Sequence, residues 1–379
     1  MSDRWPDELL DAMRDVADDE IDPIMERLYA KYGPGLYARL RAFLETWTEP
    51  VTPMLPEELA EFFERPVDYP DWVDPEKIAV VETLFLRYGP VALVVLLLNG
   101  FPRAMTNPEA ATAIDAAKLF NPLIVRQRMR EVIQFTLNTS RRGGMSQIFW
   151  SSERIRKNLG IWSTQKLRLK HSRIRLRIAQ HAKPPWDYAK LGKIINQEAL
   201  ADAMLQFCLG IVEGLPKAGI VQTPDQQEAM INMWSTIGFL LGLRPELHPA
   251  NVAEARELRD EIFRRTAQKS QAGINVIADL IRTADDILPW WLHGSTAALM
   301  RYQLGESISA MLEVPRAPFW SFLLWLSRPF FGVGGPFAKL TVLISPHIVR
   351  WLMREEEGAG CQVQDPDALL ILGVDPREV

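Results

Sequence analysis

Two side chains stand where apolar helix stripes rarely carry them. In "NPLIVRQRMREVIQFTLN", Ile124, Arg128, Val132 and Phe135 recur at helical spacing, and the stripe they make contains a guanidinium. In "GIWSTQKLRLKHSRIRLRIAQHAK", Leu167, His171, Ile174 and Ile178 recur at steps of four, three and four, and that stripe contains an imidazole. A guanidinium on an apolar face is costly unless an anionic or polar group meets it. An imidazole is the side chain best suited to carry a proton or hold a metal near neutral pH. An arginine and a histidine on inward faces predict a polar spot in an apolar cavity. Taken singly, each has a plainer reading. A lone histidine on such a face is most often a satisfied core residue, and an arginine at a stripe's edge snorkels to solvent.

The usual catalytic signatures are missing. The chain has no G-x-x-x-x-G-K, no strand-linked G-x-G-x-x-G, no H-E-x-x-H and no G-x-S-x-G. The histidines are His171, His181, His248, His293 and His347, and no two are four residues apart. That spacing argues against a two-histidine metal face on one helix, and the lack of any Glu-x-x-His argues against a di-iron carboxylate bundle. A cofactor here needs few protein ligands. Haem meets that condition, since one axial histidine can hold its iron.

The elements that would position these residues are helical. Leu10, Met13, Ala17, Ile21, Ile24 and Leu28 form one helical face over residues 7–32, which Pro23 should kink or divide. A Pro-rich, acidic loop over 53–75 holds a short helix at "PEELAEFF". A helix through Leu93 to Leu98 should stop at "NGFP". "TPDQQEAMINMWSTIGFLLGL" starts on a capping box, Thr223 with Gln226, and carries a stripe of Met230, Met233, Trp234, Ile237 and Leu241. "ANVAEARELRDEIFRRT" and "STAALMRYQLGESISAML" are two more helices. Residues 166–178 also partly alternate apolar with charged, as a strand does, but helical neighbours favour helix. No strand-hairpin series appears, so the fold class is all-α. We expect one helical domain over 1–355 and an acidic, loosely packed tail over 356–379.

Bulk properties bound the function. With 43 Lys and Arg against 48 Asp and Glu, the net charge of −5 excludes a protein that binds nucleic acid by its overall charge. The basic run at 160–183 is thus a solvated face, a local patch, or a pocket wall. Cys208 and Cys361 make no disulfide framework and fit a reducing compartment. The acidic N-terminus lacks the apolar core of a secretory leader, so a cytoplasmic location is expected. "YGPVALVVLLLNGF" is too short to span a bilayer and reads as a core helix. "APFWSFLLWLSRPFFGVGGPFAKLTVLI" reads as core or as a surface touching lipid, which would allow peripheral membrane contact.

The order of several motifs resembles the family of latex clearing proteins (rubber oxygenases) and MpaB-type oxygenases. It runs from "LDAMRDVADDEIDPIMERL" to "LMRYQLGESISAMLEVPRAP". Its strongest pieces are "RMREVIQFTLNTSRRGGM", "QKLRLKHSRIR", "KLGKIINQEALADAMLQF" and "WSTIGFLLGLRPELHPANVAEARELRDE". The family pattern K-V-R-L-x-H-A-x-V-R reads here Lys166-Leu167-Arg168-Leu169-Lys170-His171-Ser172-Arg173-Ile174-Arg175.

The resemblance implies a globin-like helical core with additional helices at both ends, a haem b whose iron takes His171 as axial ligand, and Arg128 close to the haem. It implies O2 chemistry on long apolar chains, an isoprenoid- or lipid-like substrate cleaved at a C=C bond. Arg168, Arg173 and Arg175 flank the His171 stripe, and some of them, Arg168 and Arg175 first, would pair with haem propionates. Rubber-cleaving relatives follow the arginine with Leu-x-Lys-Thr. Here the chain reads Arg128-Met129-Arg130-Glu131-Val132, so Glu131 stands for the distal lysine and Val132 for the threonine. Glu131 is then a candidate for handling protons or gating the distal side. The carboxylate that serves as base in rubber enzymes lies a few turns upstream, where Glu109 and Asp115 are nearest. An insertion, "FWSSERIRKN", separates Gly144 from Gly160. Two rivals stay open: a non-catalytic haem or lipid binder of this fold, and a cofactor-free helical interaction module.

Overall fold

The structure, a computed structural model, describes residues 4–45, 55–117, 124–146 and 159–331. Among them every regular element is a helix, as expected. The longer ones are α1 (Asp7–Arg14), α2 (Ile21–Tyr32), α3 (Gly35–Glu45), α4 (Glu57–Glu64), α5 (Pro75–Val95), α6 (Pro108–Ala117), α7 (Ile124–Ser140), α8 (Leu159–His181), α9 (Gln197–Lys217), α10 (Pro224–Leu240), α11 (Val252–Thr266), α12 (Gln271–Ile287), α13 (Ser295–Leu304) and α14 (Pro318–Phe331). The 356–379 tail and the 149–158 insertion lie outside the described residues.

Local chemistry starts these helices. Asp74 accepts from the Glu76 and Lys77 amides ahead of α5, with Pro75 in the first turn. Asn196 accepts from Ala199 N at 2.9 Å ahead of α9. The Thr223 box forms as expected: the hydroxyl accepts from Gln226 N at 3.2 Å while Gln226 Oε1 accepts from Thr223 N at 3.0 Å. Gly242, at φ +83°, follows the end of α10 in a conformation that suits glycine.

Two expectations about breaks need correction. The 7–32 run divides, but between Arg14 and Ile21. Pro23 falls in the first turn of α2, where a missing N–H costs nothing. "NGFP" does not stop its helix either. α5 passes into one π turn, Leu96–Gly100, and then a further helical turn, Phe101–Ala104. Gly100 is there for proximity, because a Cβ on it would lie 2.9 Å from Gln206 O of α9. A Cβ on Gly210 would lie 2.8 Å from Gly100 Cα, so the two backbones touch.

α5, the π turn, α9 and α10 pack on one another at the centre, with α12 on α6 and α7 on α8. Pro75–Ala104 and Gln197–Lys217 are long and apolar enough to cross a membrane, yet 78% of the α9 window is buried inside the fold. α8 joins three apolar clusters. Ile161 enters the main core, Leu159, Trp162 and Leu169 pack with α2, α3 and α4, and Ile178 packs with Trp186, Leu191 and Ile194. The most basic helix among the described residues therefore runs through the interior for much of its length.

Candidate functional site

A cavity of about 190 Å³ lies between the π turn and α6 to α10. Its walls are mostly apolar, with Leu96, Phe101, Phe207, Ile237 and Leu241 among them. Five polar side chains reach it: Glu109, Arg128, Glu131, Thr136 and His171. Sequence periodicity placed Arg128 and His171 on inward faces, and the structure brings both to this one space. Val132, Leu167 and Ile174 line it beside them.

His171 is the histidine of the cavity wall. The His248 and His293 rings meet backbone carbonyls instead, Leu243 O at 3.3 Å and Leu288 O at 3.2 Å. Burial and the nearby Arg175 and Arg128 charges push His171 down to about 3. At neutral pH the imidazole is thus uncharged, with a nitrogen lone pair to offer. Among the described residues no three His, Cys, Asp or Glu side chains gather as a metal cage. A group held through iron would rely on this one ring.

Arg128 and Glu131 belong to one ion cluster. Arg128 Nη1 donates to Glu131 Oε2 at 2.6 Å, and Gln127 Nε2 to Oε1 at 2.8 Å. Lys170 Nζ, from α8, donates to Oε1 at 2.5 Å. Burial alone would raise the Glu131 carboxyl, but Arg128 and Lys170 outweigh it and hold it at about 2. Glu131 therefore stays ionised across the neutral range. Lys170 was not singled out by its sequence position; it reads as one more flank of the His171 stripe.

Glu109 is the cavity's other carboxyl and behaves oppositely. Burial pushes it up to about 8, so it is protonated at neutral pH. Its Oε1 accepts from Ile195 N at 2.6 Å, and its Oε2 is buried without a hydrogen-bond partner. A chain of contacts fixes it: Asn107 Oδ1 accepts from Glu109 N at 3.0 Å, and Asn107 Nδ2 donates to buried Asp202 Oδ2 at 3.1 Å. Ile195, also in the wall, holds φ +50°, a costly conformation for a β-branched residue. Asp115, the other upstream acid, is not among the lining residues.

Arg168 and Arg175 do not reach the cavity. Arg168 grips Asp18 with Nε and Nη2 at 2.6 and 2.7 Å and reaches Glu20 at 2.9 Å. Arg175 Nη2 donates to Asp22 Oδ1 at 2.8 Å. Lys166 is fully buried, over the Trp162 and Phe43 rings at 4.7 and 5.5 Å, and Arg173 and Arg177 lie over Tyr37. The cations of the 166–177 run thus meet acids and rings of this same chain. The acids that Arg168 and Arg175 meet are Asp18, Glu20 and Asp22, more than 140 residues away, which no spacing rule could find.

Residues 82–333 match the family model described as "ER-bound oxygenase mpaB/B'/Rubber oxygenase, catalytic domain". No curated protein matches the chain. Among solved structures, one titled "Structure of Latex Clearing Protein LCP in the closed state" is similar at a TM-score of 0.66 and 17% identity, over 95% of this chain and 90% of that one. At that identity the likeness speaks for the all-α fold.

Proposed function

Because the chain belongs to the family of mpaB-type and rubber oxygenase catalytic domains, we propose that it is a haem-b-dependent oxygenase acting on an isoprenoid- or lipid-like substrate. The observation that carries the proposal is the uncharged His171 imidazole opening on an apolar cavity. The donor set fits haem b: one neutral nitrogen ligand, apolar walls for the macrocycle, and Arg128 as a cation for an anionic group. His171 would hold the iron. The bound haem would supply O2 activation for oxidative C=C cleavage, chemistry that belongs to the cofactor.

The chain's own residues do the remaining work. The apolar walls bind a hydrocarbon chain and exclude water. Glu131 holds Arg128 in place and keeps its charge, so it serves as a brace. Glu109, protonated near neutrality with one carboxyl oxygen buried and unpaired, is the carboxyl suited to hold a proton beside the cavity. Val132 leaves the position of a hydroxyl bare, which favours an enzyme whose substrate differs from that of the rubber-cleaving relatives. We place the protein in the cytoplasm, with contact to a membrane surface as its route to apolar substrates.

An absorption spectrum tests this reading. Protein purified from haem-replete cells should show a Soret band that disappears in His171→Ala. Colourless, metal-free protein ends it. A Soret band with no O2 uptake across a panel of polyenes would favour a carrier or sensor of the same fold.

A further inference from the structure

Arg128 is the arginine of the cavity wall, and its guanidinium is only partly engaged. Arg168 and Arg175, buried to a similar degree, each grip a carboxylate with Nε and Nη2, the side edge of the fork: Arg168 grips Asp18 and Arg175 grips Asp22. Arg128 makes a single bond, from Nη1 to Glu131 Oε2. Its Nε and Nη2 make no hydrogen bond among the described residues, neither is sealed from the surrounding space, and 17% of the side chain stays open. The edge that holds a carboxylate in Arg168 and Arg175 is therefore open in Arg128.

The head group sits at the wall itself. Nη1 is 2.6 Å from Glu131, which also lines the cavity, and the Arg128 charge is one of those that keep the His171 ring uncharged. Glu131 does not cancel that charge alone, because it is shared: its other oxygen accepts from Lys170 Nζ and Gln127 Nε2. The remaining titratable groups of the wall are neutral near pH 7, Glu109 keeping its proton and His171 lacking one. Thr136 turns its hydroxyl on Val132 O of its own helix. The rest of the lining is apolar, with Leu96, Phe101, Met204, Phe207 and Ile237 in it. A cation at the wall of an apolar space, with a shared counter-charge and a free fork, is arranged to receive an anion.

We propose that the open Nε–Nη2 edge of Arg128 receives the carboxylate of the substrate, whose hydrocarbon chain lies along the apolar walls. The substrate class is then an isoprenoid or fatty acid in its anionic form, and the ester, alcohol or plain hydrocarbon of the same chain is the poorer ligand. The inference rests on the reading of this cavity as the substrate site. Haem also carries carboxylates, but it brings two propionates, and one guanidinium answers only one of them. Arg168 and Arg175 give no help there, since Asp18 and Asp22 hold them. A single-headed acid is balanced completely. A site that presents a charged fork discriminates against the analogue without an anion, because the guanidinium then stays desolvated and unpaired.

The test uses the full-length protein as purified and two probes with the same chain, geranic acid and its methyl ester. The acid should bind about 10- to 150-fold more tightly than the ester. In Arg128→Gln, which leaves Glu131 with Lys170 and Gln127, the acid should fall to the ester's affinity while the ester binds as before. A second measurement is read in the wild type and does not depend on the variant folding: the carboxyl 13C signal of labelled geranic acid should keep its ionised position in the bound state at a pH below the acid's own pKa. Equal affinities in the wild type, a preference that persists in Arg128→Gln, or a bound acid that takes up its proton as the free acid does each overturn the role of Arg128 and leave the oxygenase reading standing. Loss of haem in Arg128→Gln, with the two probes binding the wild type alike, assigns the guanidinium to a propionate and overturns the proposal in the same way. If neither probe binds, the cavity is not a site for apolar chains, and both readings fall together.

Discussion

Lys170 Nζ lies 2.5 Å from Glu131 Oε1, an ammonium from the His171 helix against a carboxylate of its neighbour, both buried. Glu131 stands where the resemblance to rubber oxygenases implies a lysine. The positive charge absent at 131 is supplied from the adjoining helix, and Arg128 closes the cluster from the cavity side.

Breaking such a pair from one side leaves an uncompensated buried charge, at about 3–5 kcal/mol. Lys170→Met should therefore lower the urea midpoint strongly. Glu131→Lys should do at least as much harm, since it places a third cation beside Arg128 and Lys170. Combining it with Lys170→Glu restores a pair with exchanged signs and should recover most of the loss. If the double exchange is as unstable as the sum of its singles, the two residues are not coupled.

Glu109 sets a pH dependence of defined sign. Its folded carboxyl is at about 8, against an ordinary value of 4.5. Between these the folded state keeps a proton that the unfolded state has released, so stability falls as pH rises through that window. Glu109→Gln retains an oxygen for the Ile195 amide and removes the titration. Its melting temperature should decline less than the wild type's between pH 5 and pH 8, the window set by that shift. Parallel declines would show that Glu109 is not the group responsible.

The helices and the two inward-facing residues were legible because they rest on local rules. The Thr223 box and the 4-3-4 spacing around His171 need no knowledge of the rest of the chain. What was not legible depends on partners distant in sequence. Arg168 and Arg175 look like free cations beside His171, and only the fold brings Asp18 and Asp22 to them. Gly100 looks like a stop signal, while its use is to let α9 approach.

That approach of backbones carries a prediction. Gly210→Ala would put a methyl group 2.8 Å from Gly100 Cα, with no flexible side chain there to yield. α9 must then move off the π turn, at about 1–3 kcal/mol by the usual scale of overpacking. Since α9 carries Leu200, Met204 and Phe207 of the cavity wall, binding of apolar probes should weaken together with the thermal midpoint. Full stability in Gly210→Ala would mean that the two backbones do not meet as described.

The Arg168 fork separates two roles for the basic flank of His171. Both of its bonds to Asp18 are short, both partners are nearly buried, and Asp18 also accepts from the amide of Ile21 at the start of α2. Burial raises the Asp18 carboxyl, but the Arg168 contact outweighs it and leaves the group below its usual range. This is the signature of a structural pair whose loss is felt by the N-terminal helices. Arg168→Lys keeps the charge and loses the two-pronged geometry. It should lower the unfolding midpoint, Asp18→Asn should do the same, and the double variant should cost little more than either alone. The absorption spectrum of the purified protein should remain that of the wild type throughout. If Arg168 instead gripped a haem propionate, the pattern would reverse: Asp18→Asn would leave haem content untouched, while Arg168→Lys would release haem without weakening the fold.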